Sequence, residues 1–369
     1  MKIAFAHDYL YEYGGAERVL EVLHEIWPDA PVYTSILDRR SITPQIQEME
    51  IRTTFLQRLP WAARLAKHYF FLYPLAFEQL DLGSYDAVIS VASYMSKAVL
   101  TDERARHICY CLTPPRFLWG YETYVRRRAL NPLARLSLPL LTCFVRVWDK
   151  AAADRVDHFV AISRAVQSRV AKSYRRSSEV IYPPVDTAAL WQSSPRRGEY
   201  CLVVSRLGGY KRVDLAVTAF TELGLPLKIV GTGGELPRLR SLAGPTVEFL
   251  GHVPDDELIR LYQGCRALVF PGEEDFGLVM VEAQAAGRPV IAYAAGGALE
   301  TVLPGRTGEL FIAQTLEALI EQLRGFDDTR YSPSACLTNA ARFDKEVFKQ
   351  QMRATVDRQL SSARERIPS

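Results

Sequence analysis

The chain has 369 residues, of which 48% are hydrophobic and 24% charged, and a formal net charge of +3. Such a length exceeds one ordinary core and predicts two domains, at roughly 150 residues each, with the balance of a soluble globular protein. Acidic and basic residues are mixed along most of it, which argues against a nucleic-acid binder.

In chain order, "KIAFAHD" reads as a short apolar strand, "YLYEYGG" as a turn, and "AERVLEVLHEIW" as a helix with apolar residues three and four apart. The start lacks a signal-peptide layout, so a cytoplasmic protein is expected. The strands "APVYTSIL", "AVISVAS", "RHICYCL" and "HFVAIS" alternate with helices, the pattern of a doubly wound parallel α/β sheet. Cys109, Cys111, Cys143, Cys201, Cys265 and Cys336 show no CxxC pair and no zinc spacing, and read as reduced, mostly buried thiols. Cys109 and Cys111 are expected on opposite faces of their strand.

Residues 61–77, "WAARLAKHYFFLYPLAF", would put Trp61, Leu65, Tyr69 and Leu72 in one helical stripe and Arg64, Lys67 and His68 on another face. "VRRRALNPLARLSLPLLTCFVRVW" has the same flavour. Peripheral docking on an anionic membrane is one reading of both; helices packed on the core with solvated cations is the other. The apolar run "LSLPLLTCFV", with Pro139 inside it, is too short to span a bilayer.

"VIYPPVDTAALWQSSPRRGEY" is rich in proline, serine and arginine and reads as a linker. It divides a domain over residues 1–182 from a second over 190–345. The charged terminal helix, about 347–369, is expected to lie back on the first. The second domain repeats the plan: strands "YCLVVSRL", "LKIVG", "RALVFP" and "PVIAY", with helices between them.

Ligands of such folds meet the carboxyl ends of the strands, where three joins stand out. Gly14 and Gly15 precede a helix, whose free N–H groups suit an anion, although a plain tight turn explains them equally well. In "SRLGGYKR", Arg206 offers a planar fork and Lys211 a point charge, a set that fits a diphosphate. In "EEDFGLVMVEAQAAGRPVIAY", Glu274 sits on a loop and Glu282 about one turn into a helix, with Gly277 permitting close backbone approach. Two acids so placed suit two hydroxyl-bearing parts of one long ligand better than one shared proton or metal.

E-x7-E with "FGL" between, the preceding "SRL…K", the turn "VGTGGE", "FLGHV" and "AAGGALETV" together resemble glycosyltransferase family 4, and the likeness runs over essentially the whole chain. The resemblance implies a retaining, nucleotide-sugar-dependent transferase of the GT-B fold, two Rossmann-like domains whose parallel sheets face a cleft. It implies that Arg206 and Lys211 hold the diphosphate, Glu282 the ribose, and Glu274 with the backbone of Phe276, Gly277 and Leu278 the donor sugar. Gly14, Gly15 and Gly233 would approach the phosphates, and His252 and Val253 the base. No D-x-D occurs in the chain, so neither a metal nor another cofactor is expected.

The family flavour is closest to bacterial mannosyltransferases, implying GDP-mannose as donor and a lipid-linked or polysaccharide acceptor. One departure is Leu112, where many relatives carry a His that contacts the sugar's 6-hydroxyl. An apolar side chain there suits a methyl, hence a 6-deoxy donor such as rhamnose or fucose. A UDP-sugar donor, a GT-B-fold epimerase and an inactive nucleotide-sugar-binding subunit are the alternatives.

Overall fold

The computed structural model describes residues 1–120, 132–191 and 198–364. The chain forms two compact units, Met1–Tyr182 with Phe348–Ser369, and Pro183–Val347. Each is an α/β unit around one wholly parallel sheet.

In the first unit the strands are β1 (Ile3–His7), β2 (Val32–Thr34), β3 (Ile51–Thr53), β4 (Ala87–Ala92), β5 (Arg106–Cys111), β6 (His158–Ala161) and β7 (Glu179–Val180), in the order β3-β2-β1-β4-β5-β6-β7. β1 and β4 are buried along their whole length, as expected of strands covered by helices on both faces. The chain order reverses between β1 and β4, which creates the topological switch point of the sheet. There Asp8, just past β1, accepts hydrogen bonds from the Ser93, Tyr94 and Ser96 amides, each at 2.7 Å, and from Ser93 Oγ at 2.9 Å. One carboxylate thus fixes the loop after β4 to the end of β1.

Cys109 and Cys111 share a face of β5 rather than opposing each other. Side chains alternate with period two, so residues two apart point the same way. The hydrogen bond with Cys109, then burial, push the Cys111 thiol well above its usual range. Five of the six cysteines are buried; Cys143 is exposed.

The stretch 61–77 is not one helix. It breaks into Ala62–Leu65, a 3₁₀ run Ala66–Leu72, and Tyr73–Glu78, which opens with Pro74 in its first turn. The expected stripe therefore does not form: Trp61 is exposed while Leu65, Tyr69 and Leu72 are half-buried. The second such segment lies partly outside the described residues. From Pro132 it is a helix, Pro132–Arg155, that accommodates Pro139. Among the described residues no helix is long and apolar enough to cross a membrane.

The second unit holds β8 (Cys201–Val204), β9 (Leu227–Val230), β10 (Val247–Gly251), β11 (Leu268–Phe270), β12 (Val290–Tyr293) and β13 (Gly308–Phe311), ordered β10-β9-β8-β11-β12-β13. Its switch point lies between β8 and β11. The terminal helix Lys345–Arg364 runs from this unit into the first, where Phe348 packs edge-on against Tyr110 of β5 at 5.5 Å.

Candidate functional site

The two joins that flank the second switch point are those after β8 and after β11. Past β8, the backbone runs through Gly208 into a short 3₁₀ turn, Gly209–Lys211. Arg212 then adopts a left-handed conformation (φ 52°) before the helix Val213–Leu223. This kink sets Lys211 inward, nearly buried, with its ammonium 5.0 Å from the centre of the Tyr210 ring. Arg206 is exposed.

Past β11, the loop from Pro271 to Gly277 leads into the helix Leu278–Ala285. Gly277 caps that helix with φ +83°, a conformation that L side chains rarely adopt. Phe276 turns its ring into the core against Phe343, 5.4 Å away, leaving only its backbone for any ligand. Glu274 forms an ion pair with Lys211. The two residues expected to hold diphosphate and sugar are therefore in direct contact, brought from strands β8 and β11 that are neighbours in the sheet.

Glu282 is buried on the helix, and its Oε2 accepts a 2.6 Å hydrogen bond from the Tyr262 hydroxyl. Leu278 is half-buried at the helix start. A buried carboxylate persists only with such partners, so Tyr262 belongs to the site's framework although nothing in the sequence marks it. A tyrosine on the amphipathic helix Asp255–Gly264 reads simply as core.

The glycine-rich turns act as backbone packers. A Cβ on Gly233 would lie 2.4 Å from the Leu207 carbonyl oxygen, and one on Gly272 would lie 2.8 Å from that of Lys211. Gly296 (φ +55°) and Gly297 press on the Glu274 loop: their added Cβ atoms would meet the Glu274 and Phe276 carbonyl oxygens at 2.1 Å each. The Gly297 amide also donates to the Glu274 carbonyl at 2.8 Å. Gly296 and Gly297 are thus supports of the acid's loop, a role the motif "AAGG" signals only once the contact is seen.

His252 is exposed and Val253 buried just past β10, away from the β8–β11 switch point by the width of one strand in the sheet order. Gly14 and Gly15 are in the first unit. Gly14 caps the helix Gly15–Ile26 with an extended backbone (φ −169°) and no side-chain cap. Beside them His7, at the end of β1, is buried; its Nδ1 lies 2.9 Å from the Tyr9 carbonyl and its Nε2 3.8 Å from Glu17. Burial pushes the His7 pKa down. Leu112 is half-buried immediately past β5.

Comparison with known proteins bears on these features. Residues 192–342 match the family model of glycosyl transferases group 1. The D-rhamnosyltransferase WbpZ of Pseudomonas aeruginosa is 27% identical over 219 residues, 55% of each chain. A GDP-mannose-dependent alpha-(1-6)-phosphatidylinositol monomannoside mannosyltransferase of Mycobacterium tuberculosis is 34% identical over 186 residues, 42% of this chain and 48% of that protein. The chain thus spans about half the length of the curated relatives it matches. The crystal structure of Anabaena Alr3699/HepE in complex with UDP shares the fold at a TM-score of 0.71 and 20% identity, over 97% of this chain and all of that one. The second unit is thus similar to glycosyl transferases group 1 over residues 192–342, and the chain has the two-sheet GT-B architecture.

Proposed function

We propose that the chain is a retaining glycosyltransferase of family 4 that moves mannose from GDP-mannose onto a lipid-linked or polysaccharide acceptor. The observation that carries this reading is the Lys211–Glu274 pair at the switch point of the second sheet, with Glu282 buried one turn into the adjoining helix. A cation and an acid that hold each other in the free protein are two handles of opposite sign. The donor's diphosphate takes up Lys211 and Arg206, and its sugar hydroxyls donate to Glu274 in their place. The ribose hydroxyls donate to Glu282, and the base rests against the backbone of His252 and Val253.

As the bond from the anomeric carbon to the diphosphate oxygen lengthens, negative charge grows on that oxygen, and the two cations stabilise it. The acceptor hydroxyl attacks from the face that the nucleotide leaves, and its proton passes to the departing phosphate oxygen. One glycosidic bond forms, one bond to phosphate breaks, and configuration is retained. Because side chains carry the compensating charge, the reaction in this reading needs no metal. A lipid-linked acceptor would put the protein peripherally at the cytoplasmic face of a membrane.

The Mycobacterium tuberculosis relative's use of GDP-mannose supports the donor. A second reading, a 6-deoxy donor, has its own support in apolar Leu112 past β5 and in the D-rhamnosyltransferase relative. Incubating the purified chain in EDTA with an acceptor and with GDP-mannose, GDP-rhamnose or UDP-glucose tests both. GDP release with GDP-mannose, undiminished by EDTA, is the expected result. Preference for GDP-rhamnose would favour the second reading. Isomerisation of donor without acceptor, or turnover of none, would overturn both.

A further inference from the structure

We infer that the first unit docks on an anionic lipid surface through two adjoining segments, 61–75 and the outer face of the helix Pro132–Arg155. On that helix Leu140, Phe144 and Val147 are 72%, 59% and 67% exposed. Their spacing of four and three residues puts them on one face, while Val145, Asp149 and Ala152 of the opposite face are buried. A contiguous apolar stripe left in water marks a surface made to be covered.

The second segment continues it. The Phe144 ring meets Trp148 edge-on at 5.7 Å, and the Trp148 indole N–H donates to Glu78 Oε1 at 2.8 Å. Glu78 closes the helix Tyr73–Glu78, in which Leu75 is exposed, as is Phe71 just before it. At the far end of this segment Trp61 is 72% exposed and held in a left-handed backbone conformation (φ 47°). A bulky residue in that conformation is uncommon, and it presents the indole ring outward. Indole rings favour the headgroup level of a bilayer.

Charge selects the occupant. Residues 56–77 contain Arg58, Arg64 and Lys67 and no acid; on the helix, Arg146 turns inward, its Nε donating to the Leu118 carbonyl at 2.7 Å, and the exposed Asp154 is paired with Lys150. Arg64 and Lys67 are exposed. The one acid at the junction, Glu78, is already neutralised by Arg155 at 2.5 Å. An apolar face bordered by Arg58, Arg64 and Lys67, with the neighbouring acids Glu78 and Asp154 each paired with a cation, complements anionic headgroups over hydrocarbon. A second copy of the chain would instead set these cations against one another.

The test does not depend on transferase activity. The full chain is sedimented with vesicles of phosphatidylglycerol and phosphatidylcholine, and with phosphatidylcholine alone, at low and high salt. Binding to the anionic vesicles that weakens with salt is expected. The variants Phe144→Asp with Val147→Asp, and separately Arg64→Glu with Lys67→Glu, should each lower partitioning on the order of tenfold. All four side chains are exposed, so the melting temperature should stay unchanged; the charge-reversal pair provides the reading should the apolar pair melt early. Absence of anionic-vesicle binding by the parent chain, or variants that bind like the parent, would overturn the inference. So would a solution dimer, or a complex with another protein, that Phe144→Asp dissolves.

Discussion

Lys211 and Glu274 face each other across neighbouring strands β8 and β11, and each should matter through a different step. In the proposed reaction Lys211→Met removes a charge that would stabilise the leaving diphosphate, so transfer should fall about 10²- to 10³-fold. Glu274→Gln keeps the shape but, in the same reading, would weaken the hold on the sugar, and should affect turnover with the nucleotide-sugar far more than binding of the nucleoside diphosphate alone. Steady-state kinetics alongside nucleotide titration separates the two; equal losses in both variants would contradict the assigned roles. Away from the site, His107 on β5 is buried with its Nε2 2.8 Å from Ser90 Oγ, and burial pushes its pKa down from 6.5 to about 3. The unfolded chain therefore binds more protons than the folded one between those values. Stability from the neutral imidazole is complete above about pH 6.5 and is lost as pH falls towards 3. Denaturant unfolding of His107→Gln should show a flatter decline between about pH 7 and 4.5 than the parent; an unchanged slope would contradict this.

At the scale of elements, the site depends on loops held by backbone contact. Gly297→Ala would put a methyl 2.1 Å from the Phe276 carbonyl oxygen. The Glu274 loop must then shift, and activity should fall at least tenfold, since misplacement by about 1 Å costs that much or more. A second element-level device lies in the first unit. Asp149, fully buried on the helix Pro132–Arg155, pairs with Lys97 and accepts from Trp119 Nε1 at 2.7 Å and Tyr174 Oη at 2.9 Å. Burial alone would lower the Lys97 pKa, but the adjacent Asp149 outweighs it and keeps the ammonium charged. Asp149→Ala leaves that charge unpaired and should cost about 3–5 kcal/mol, read as a lower melting temperature; a loss within about 0.5 kcal/mol would mean the network carries no load. The alternation of strands and helices was legible in the sequence because apolar runs such as "AVISVAS" and "CLVV" coincide with buried strands. The breaks within 61–77 were not, since a helical stripe counted from Trp61 takes no account of where neighbouring elements let the backbone turn.

For the whole molecule, sheet order is what converts scattered motifs into a site. The sequence places Lys211 and Glu274 sixty-odd residues apart; only the order β10-β9-β8-β11-β12-β13 makes their strands neighbours at a switch point. Lys211 and Glu274 could be singled out because charged residues at strand ends draw attention, and the structure brings the two together. Tyr262 and Asp8 could not be singled out, because their partners, Glu282 and the amides after β4, come from elsewhere in the chain. The measurement that tests the central claim most directly is the thermal shift of the intact chain with GDP and GDP-mannose in EDTA, set beside Lys211→Met. A ligand at about 100 times its dissociation constant adds about 2.7 kcal/mol to the folded state. The parent chain should therefore melt several degrees higher with GDP-mannose, and Lys211→Met should lose most of that rise. No rise with any nucleotide-sugar, or an equal rise in the variant, would contradict a donor site built on Lys211 and Glu274.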